Sequence, residues 1–259
     1  MRRRYHIQFP KTEGTNLAQD EAYFYYHDAE QKNKIRFHDY EKLYSIPGLY
    51  EQVFYDRLKC ASPGKVASIL ESTVKQSQCT LSERRVLDLG AGNGMMGAEL
   101  KKYGVSRLIG VDIIPEAYNA NLRDRPELYD EYYIEDFTDL DDEKRREIES
   151  WQCDCMVSVA ALGFGDIPIK AFLEAYNIIA PDGWVAFNIK ETFFDYTDTT
   201  GFSRMIRELI WSECFDVYHI ERYRHRLSID GTPLYYFAIA GRKAADVPAD
   251  FLSAKGITD

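Results

Sequence analysis

The stretch RRVLDLGAGNGMMGAEL, Arg84 to Leu100, carries two overlapping glycine patterns. From Gly92 it reads G-N-G-M-M-G, a literal match to the G-x-G-x-x-G of dinucleotide-binding loops. From Asp88 it reads D-L-G-A-G-N-G, an acid followed by alternating glycines. Both patterns use the same physics. Glycines let a strand end bring its amides close to a ligand. The helix that starts near Gly94 then points the positive end of its dipole at that place. Asp112, twenty residues after Gly92, closes the next strand and supports the dinucleotide pattern, since an acid there would hold a ribose hydroxyl pair.

Outward from this stretch the pattern alternates. RVLDLG reads as a strand and GMMGAELKKYG as a helix closed by Gly104. SRLIGVDI, EYYIEDF, CDCMVSVAAL and WVAFNIKE read as further strands. PEAYNANLRDR, DDEKRREIESW and IKAFLEAYNIIAPDG read as the helices between them. Such a rhythm predicts a parallel sheet covered on both faces, and the nearly unbroken apolar strands fit that burial. FSRMIRELIWSECF is one more helix. DVYHIERYRHRLSI and PLYYFAIAGRK are joined only by the turn at Asp230 to Pro233, so they must run antiparallel. The expected fold is therefore α/β: a seven-stranded, mostly parallel, doubly wound sheet finished by an antiparallel hairpin. Residues 1–80 read as an N-terminal helical cap, with Asn16 to Lys34 weakly helical, residues 81–243 as the core, and residues 244–259 as a loosely held tail.

Three features favour the pattern that starts at Asp88. A carboxylate two residues before Gly90 suits turn amides or a cation and would repel a pyrophosphate. Glu135-Asp136-Phe137 closes the third strand, and an acid beside an apolar ring suits an adenine. A terminal antiparallel hairpin is foreign to a doubled mononucleotide-binding fold. Together these segments resemble the class I S-adenosylmethionine-dependent methyltransferases, from about Arg84 to Lys243. VLDLGAGNG is similar to that family's first motif, which implies a cofactor site at Asp88, Gly90, Ala91, Gly92, Asn93 and Gly94. GVDI implies that Asp112 binds the ribose, with Ile113 beside it. IEDF implies an adenine site at Phe137, with Asp136 the first choice of amine acceptor and Glu135 the second. The end of CDCMVSVAAL adds Ala160, and IIAPDGWVAFNI resembles the family's turn into the fifth strand, with Asp182 in place of a glycine. The resemblance implies in-line methyl transfer from S-adenosylmethionine, with S-adenosylhomocysteine as the product.

Composition narrows the acceptor. The formal net charge is -10, which repels a phosphate backbone, so no nucleic-acid partner is expected. AALGFGDIP, Ala160 to Pro168, lacks the Asn- or Asp-Pro-Pro-Tyr of the family's base-amino methyltransferases. No apolar run approaches the ~18 residues that span a bilayer, and MRRRYHIQFPKTEGTN has no apolar core of a secretory signal. A cytoplasmic protein with no membrane partner is expected. The five cysteines lack C-x-x-C spacing, which argues against disulfides and a structural zinc site. Cys153 and Cys155 fall on one face of the fourth strand and read as core thiols; no metal is expected.

The remaining candidates are small molecules or a protein side chain, and a small-molecule acceptor is the leading expectation. Aromatic residues of the cap, Tyr44, Tyr50 and Tyr55 with Phe54, are candidates to line a lid over the methyl donor; cap-to-core packing is the alternative role. A Tyr-rich N-terminal segment before VLDLG and a GFG loop after strand four loosely resemble methyltransferases of the Williams–Beuren-region type. Lys190 and Glu191 lie at a carboxyl strand end, where ligands gather, or form a solvated ion pair there. Asn188, His219 and His225 are further acid–base candidates, and Asp195 and Tyr196 lie on a loop able to close on substrate. No residue stands out as a general base. A protein methyltransferase, a non-catalytic S-adenosylmethionine-binding protein and an NAD-dependent oxidoreductase are the competing functions.

Overall fold

The computed structural model describes residues 4–10, 21–28, 31–163, 166–194 and 201–257. Asp195 and Tyr196 and the centre of the GFG loop lie outside them. The first glycine stretch forms as expected. Arg85–Leu89 is a strand, here β4, and Met95–Lys102 is helix α4. The strands that follow are β5 (Arg107–Asp112), β6 (Glu131–Ile134), β7 (Cys155–Ser158) and β8 (Trp184–Lys190). Between them run α5 (Pro115–Asp124), α6 (Asp142–Ser150) and α7 (Ile169–Ile178). Helix α8 (Phe202–Trp211) leads to the long strands β9 (Phe215–Leu227) and β10 (Pro233–Lys243).

The seven core strands lie in the order β6-β5-β4-β7-β8-β10-β9. The first five are parallel, and β10 is antiparallel to both β8 and β9. Strand β10 thus returns to slot between β8 and β9. Alternation along each strand sends side chains to two layers. Leu87, Leu89, Met156, Val185, Phe187 and Ile189 pack with α7 and α8. Val86, Cys155, Val157, Trp184 and Ala186 face α4 and α3, the helix Ser62–Gln76.

Three expectations are corrected. Helix α3, read from sequence as part of the cap, lays Val66, Ile69, Leu70 and Val74 on the sheet. Its apolar stripe is buried there. The segment before it is also not all helical. His6–Gln8, Tyr23–Asp28 and Gln31–Arg36 (β1, β2, β3) form a separate antiparallel sheet. Aromatic residues favour a pleated surface, and cross-strand pairs such as Lys32 over Tyr25 and Lys34 over Tyr23 add to it. Phe24, Tyr26 and Ile35 of this sheet pack on Leu43, Leu49, Val53 and Phe54 of helix α1 (Tyr40–Ser45), the short helix α2 (Leu49–Glu51) and the π-helical turn Gln52–Arg57. The tail is held as well: Val247, Phe251 and Ile257 are buried against the α7 and α8 layer.

Cys153 and Cys155 do not share a face. Strand β7 begins only at Cys155, so the two-residue period does not extend back to Cys153. Cys153 packs in one layer and Cys155 in the other, and burial raises both thiols. No helix among the described residues is long and apolar enough to cross a membrane.

Candidate functional site

The strand order reverses between β4 and β7, and the crevice outside their carboxyl ends is where such sheets bind ligands. A cavity of about 290 Å³ lies there. Its floor is Leu89 and Gly90 at the end of β4, Val111 to Ile114 at the end of β5, Glu135 to Phe137 after β6, and Val159 to Ala161 after β7. Tyr40, Tyr44 and Tyr50 from the N-terminal segment line it from the other side. Burial raises all three phenols, so they stay neutral.

Asp112 is the centre of the floor. Its Oδ2 accepts from the Gly92 amide at 2.9 Å and its Oδ1 from the Ile114 amide at 3.1 Å. Burial pushes this carboxyl up, while the Gly92 and Ile114 amides hold it down. Each oxygen keeps a lone pair for a hydroxyl. Ile113, 57% exposed, leaves an apolar shelf beside it, with buried Phe137 also in the lining. The Asp136 carboxylate takes the Thr138 amide and hydroxyl on Oδ1 at 2.8 and 2.7 Å, which lowers its pKa. Glu135 has Lys144 Nζ at 3.8 Å. Gly90 lies at φ 75°, and a Cβ there would meet Ala161 and Ile167 at 2.8 Å. Ala160 adopts φ 59° and donates its amide to Asn188 Oδ1 at 2.6 Å. A non-glycine residue held in this region is strained, and its place here is in the cavity wall.

Several residues predicted for the site stand behind it. Asp88 points to the α4 layer, opposite Leu87 and Leu89, and does not line the cavity. Tyr129 donates to its Oδ2 at 2.7 Å, and its Oδ1 is buried without a hydrogen-bond partner. Burial pushes the Asp88 carboxyl up to about 7, with the Tyr129 bond opposing. Among the glycine-loop residues only Gly90 lines the cavity; Ala91, Gly92, Asn93 and Gly94 do not. Gly92 is where Tyr44 crosses the loop, since a Cβ would lie 2.5 Å from its hydroxyl oxygen. The buried Asn93 amide donates to Glu51 at 3.3 Å, and Arg125 Nη2 lies 2.5 Å from the same carboxylate oxygen. Arg123 donates to Tyr44 O. These bonds fasten the N-terminal segment over the loop.

Tyr44 and Tyr50 line the cavity; Tyr55, Lys190 and Glu191 do not. Tyr55 packs in the N-terminal core, and Glu191 pairs with Arg222 at 2.7 Å. His219 pairs with Glu221 on its own strand at 3.4 Å. Asn188, besides holding Ala160, donates to Ser62 and Tyr223, so it is a buried brace. Sequence reasoning missed Tyr40, Asp166 and His38. Asp166 Oδ1 lies 2.9 Å from His38 Nδ1, and the Tyr40 hydroxyl donates to its Oδ2 at 3.3 Å. His38 and Asp166 are 128 residues apart, so no local pattern announces the pair.

A family model described as a methyltransferase domain matches residues 62–228. The chain belongs to this methyltransferase-domain family, and its cofactor is S-adenosylmethionine. The match starts at Ser62, the first residue of α3. The methyltransferase fold recurs in N-methyltransferase NodS from Bradyrhizobium japonicum WM9, solved with S-adenosylhomocysteine. That structure has 13% identity and a TM-score of 0.53, and the match covers 81% of this chain and 98% of that one. It recurs also in a putative RNA methyltransferase from Pyrococcus horikoshii, with 18% identity and a TM-score of 0.51, covering 72% of this chain and 88% of that one. No curated protein matches the sequence.

The residues present fit this cofactor. Among the described residues the cavity lining holds four carboxylates (Asp112, Glu135, Asp136, Asp166) and no Lys or Arg. That lining favours a sulfonium cation and opposes the two charges of a pyrophosphate. The choice between the two glycine patterns follows from it. Gly97, the last glycine of G-N-G-M-M-G, sits inside α4, where a Cβ would meet Tyr129 and Leu108 at 2.8–2.9 Å. It serves helix-to-sheet packing.

Proposed function

We propose that this methyltransferase transfers the methyl group of S-adenosylmethionine to a nucleophilic atom of a small molecule enclosed in the cavity at the carboxyl ends of β4, β5 and β7. The observation that carries this reading is the cavity itself. It holds about 290 Å³, and tyrosines of the N-terminal segment line it opposite the strand ends. A protein substrate calls for an open groove instead.

In this reading Asp112 accepts from the ribose hydroxyls, using the lone pairs its backbone amides leave. Ile113 and Phe137 flank the adenine, and the Asp136 or Glu135 carboxylate accepts from its amine. Gly90 and strained Ala160 let the backbone come close to the methionine part. When bound, the cofactor supplies a methyl group already activated on sulfur, so alignment and exclusion of water do much of the work. Tyr40, Tyr44 and Tyr50 exclude water and present π faces that attract a cation. Where the nucleophile carries a proton that must leave, the His38–Asp166 pair is the candidate to take it, since it is the imidazole–carboxylate pair at this edge of the cavity.

Calorimetry with S-adenosylmethionine, S-adenosylhomocysteine and NAD tests the reading. One-to-one binding of the first two and no binding of NAD is expected. Failure of both to bind overturns it. A cell extract supplied with methyl-labelled donor decides the acceptor class: label in the small-molecule fraction supports the proposal, and label in a protein band replaces it.

A further inference from the structure

A recess of about 40 Å³ adjoins the main cavity, and Tyr40, Tyr50, Ala160 and Asp166 line both. Water-sized groups need roughly 10–15 Å³ each by this kind of measure, so the recess takes one small polar group with its stem and no more. Its far wall is Arg226, 4% exposed, together with Phe37, Phe54, His225 and Tyr236. The guanidinium lies over Phe37 at 5.2 Å and Phe54 at 5.9 Å. Its Nη1 donates to Leu227 O at 2.9 Å. Among the described residues no carboxylate forms an ion pair with it, and none of its remaining nitrogens is sealed off without a partner. Arg226 is part of the recess lining.

Burying a guanidinium without a counter-ion is costly, and natural chains keep such a group where something else supplies the charge. Asp166, the acid in the recess lining, is engaged with His38 and Tyr40. Arg226 is the one Lys or Arg side chain lining either cavity among the described residues. The two cavities thus differ in charge: the main one is lined by four carboxylates, while the recess shares Asp166 with it and adds the Arg226 guanidinium. An anion on the acceptor is repelled from the first and drawn to the second. A planar fork of donors matches a carboxylate through two parallel hydrogen bonds.

From this geometry we infer that the methyl acceptor is a small carboxylic acid. Its carboxylate sits on Arg226 in the recess while its nucleophilic atom projects into the main cavity. The inference rests on the reading of the main cavity as the site of methyl transfer, and its test separates the two.

The test uses the whole protein loaded with S-adenosylhomocysteine. Acetate, propionate and benzoate are titrated in, with acetamide, propionamide and benzamide as neutral controls and inorganic phosphate as the other anion. The Arg226 Nε–H resonance reports occupancy of the recess. Saturable shifts with the carboxylates, no shift with the amides, and an affinity at least tenfold weaker in Arg226→Gln are expected. Arg226→Met should keep S-adenosylhomocysteine binding and melt no lower than the parent, because it removes an unpaired buried charge. No saturable carboxylate shift, equal shifts by the amides, or a preference for phosphate would overturn the inference. So would an Arg226→Met variant that melts lower while Arg226→Gln binds carboxylates as well as the parent, since the arginine is then only structural. If S-adenosylhomocysteine itself fails to bind, the proposed function falls first, and that result is read without any carboxylate present.

Discussion

Asp112, half-buried, and Asp88, fully buried, are acids near strand ends, and their surroundings give them different work. Asp112 is held by two backbone amides with its oxygens at the cavity. Asp112→Ala should weaken S-adenosylhomocysteine binding by ~1–3 kcal/mol, the cost of leaving hydroxyls underpaired; calorimetry showing unchanged affinity removes it from the site. Asp88 faces away and accepts from Tyr129, and burial pushes its carboxyl up to about 7. Between about pH 4 and that value the folded chain keeps a proton that the unfolded chain releases. Stability from this group therefore rises as pH falls from about 7 and is fully present near pH 4. Asp88→Asn loses that gain. Urea titrations at about pH 8 and about pH 5 should show the parent gaining a few kcal/mol relative to the variant at the lower pH; parallel behaviour would refute the assignment. His225 pulls the other way. Burial, and then Arg226 beside it, holds the imidazole well below its usual 6.5, so the unfolded chain takes up a proton below that value and stability is lost. Comparing variant with parent at one pH cancels this contribution.

At the scale of elements, the contact that shapes the site is between α1 and α2 on one side and the loop between β4 and α4 with the end of α5 on the other. Glu51 is buried, accepts from Asn93 and pairs with Arg125. A buried pair broken on one side leaves an uncompensated charge, at a cost of roughly 3 kcal/mol. Glu51→Ala should therefore lower stability by about that amount. Hydrogen exchange should quicken across residues 40–57 before it changes in the central strands, because these bonds fasten the segment. A uniform rise across the sheet would mean that the pair holds the whole core. Tyr44 over Gly92 and Arg123 on Tyr44 O belong to the same attachment.

For the whole molecule, net charge and cavity chemistry point the same way. With a formal charge of -10 and an acidic main cavity, the protein should not shift duplex or single-stranded nucleic acid in a gel at physiological salt; salt-sensitive retention would contradict the small-molecule proposal. The core fold was legible because its signals are local. Apolar runs of strand length, glycines at strand ends and the short turn at Asp230 to Pro233 each act within a few residues. Asp112, Phe137 and Ala160 were legible for the same reason: each sits at a strand's carboxyl end, where the topology gathers ligands. The two-residue period along RVLDL also sets Asp88 opposite Leu87 and Leu89, so its turn away from the cavity was present in the sequence as well. Other features had no local trace. The slot of β10 between β8 and β9, the β1-β2-β3 sheet and the packing of α3 depend on which apolar surface is left to cover. The pair of His38 with Asp166, the brace of Asn188 and the solitary charge of Arg226 depend on residues far apart in sequence. By itself the sequence determined the parallel strands and the strand ends at which the cavity lies, because hydrogen-bonding and hydrophobic periods are short-range. Only the tertiary structure decided what roofs the cavity and which charge waits beside it, because burial and pairing are set by neighbours that the chain brings together only on folding.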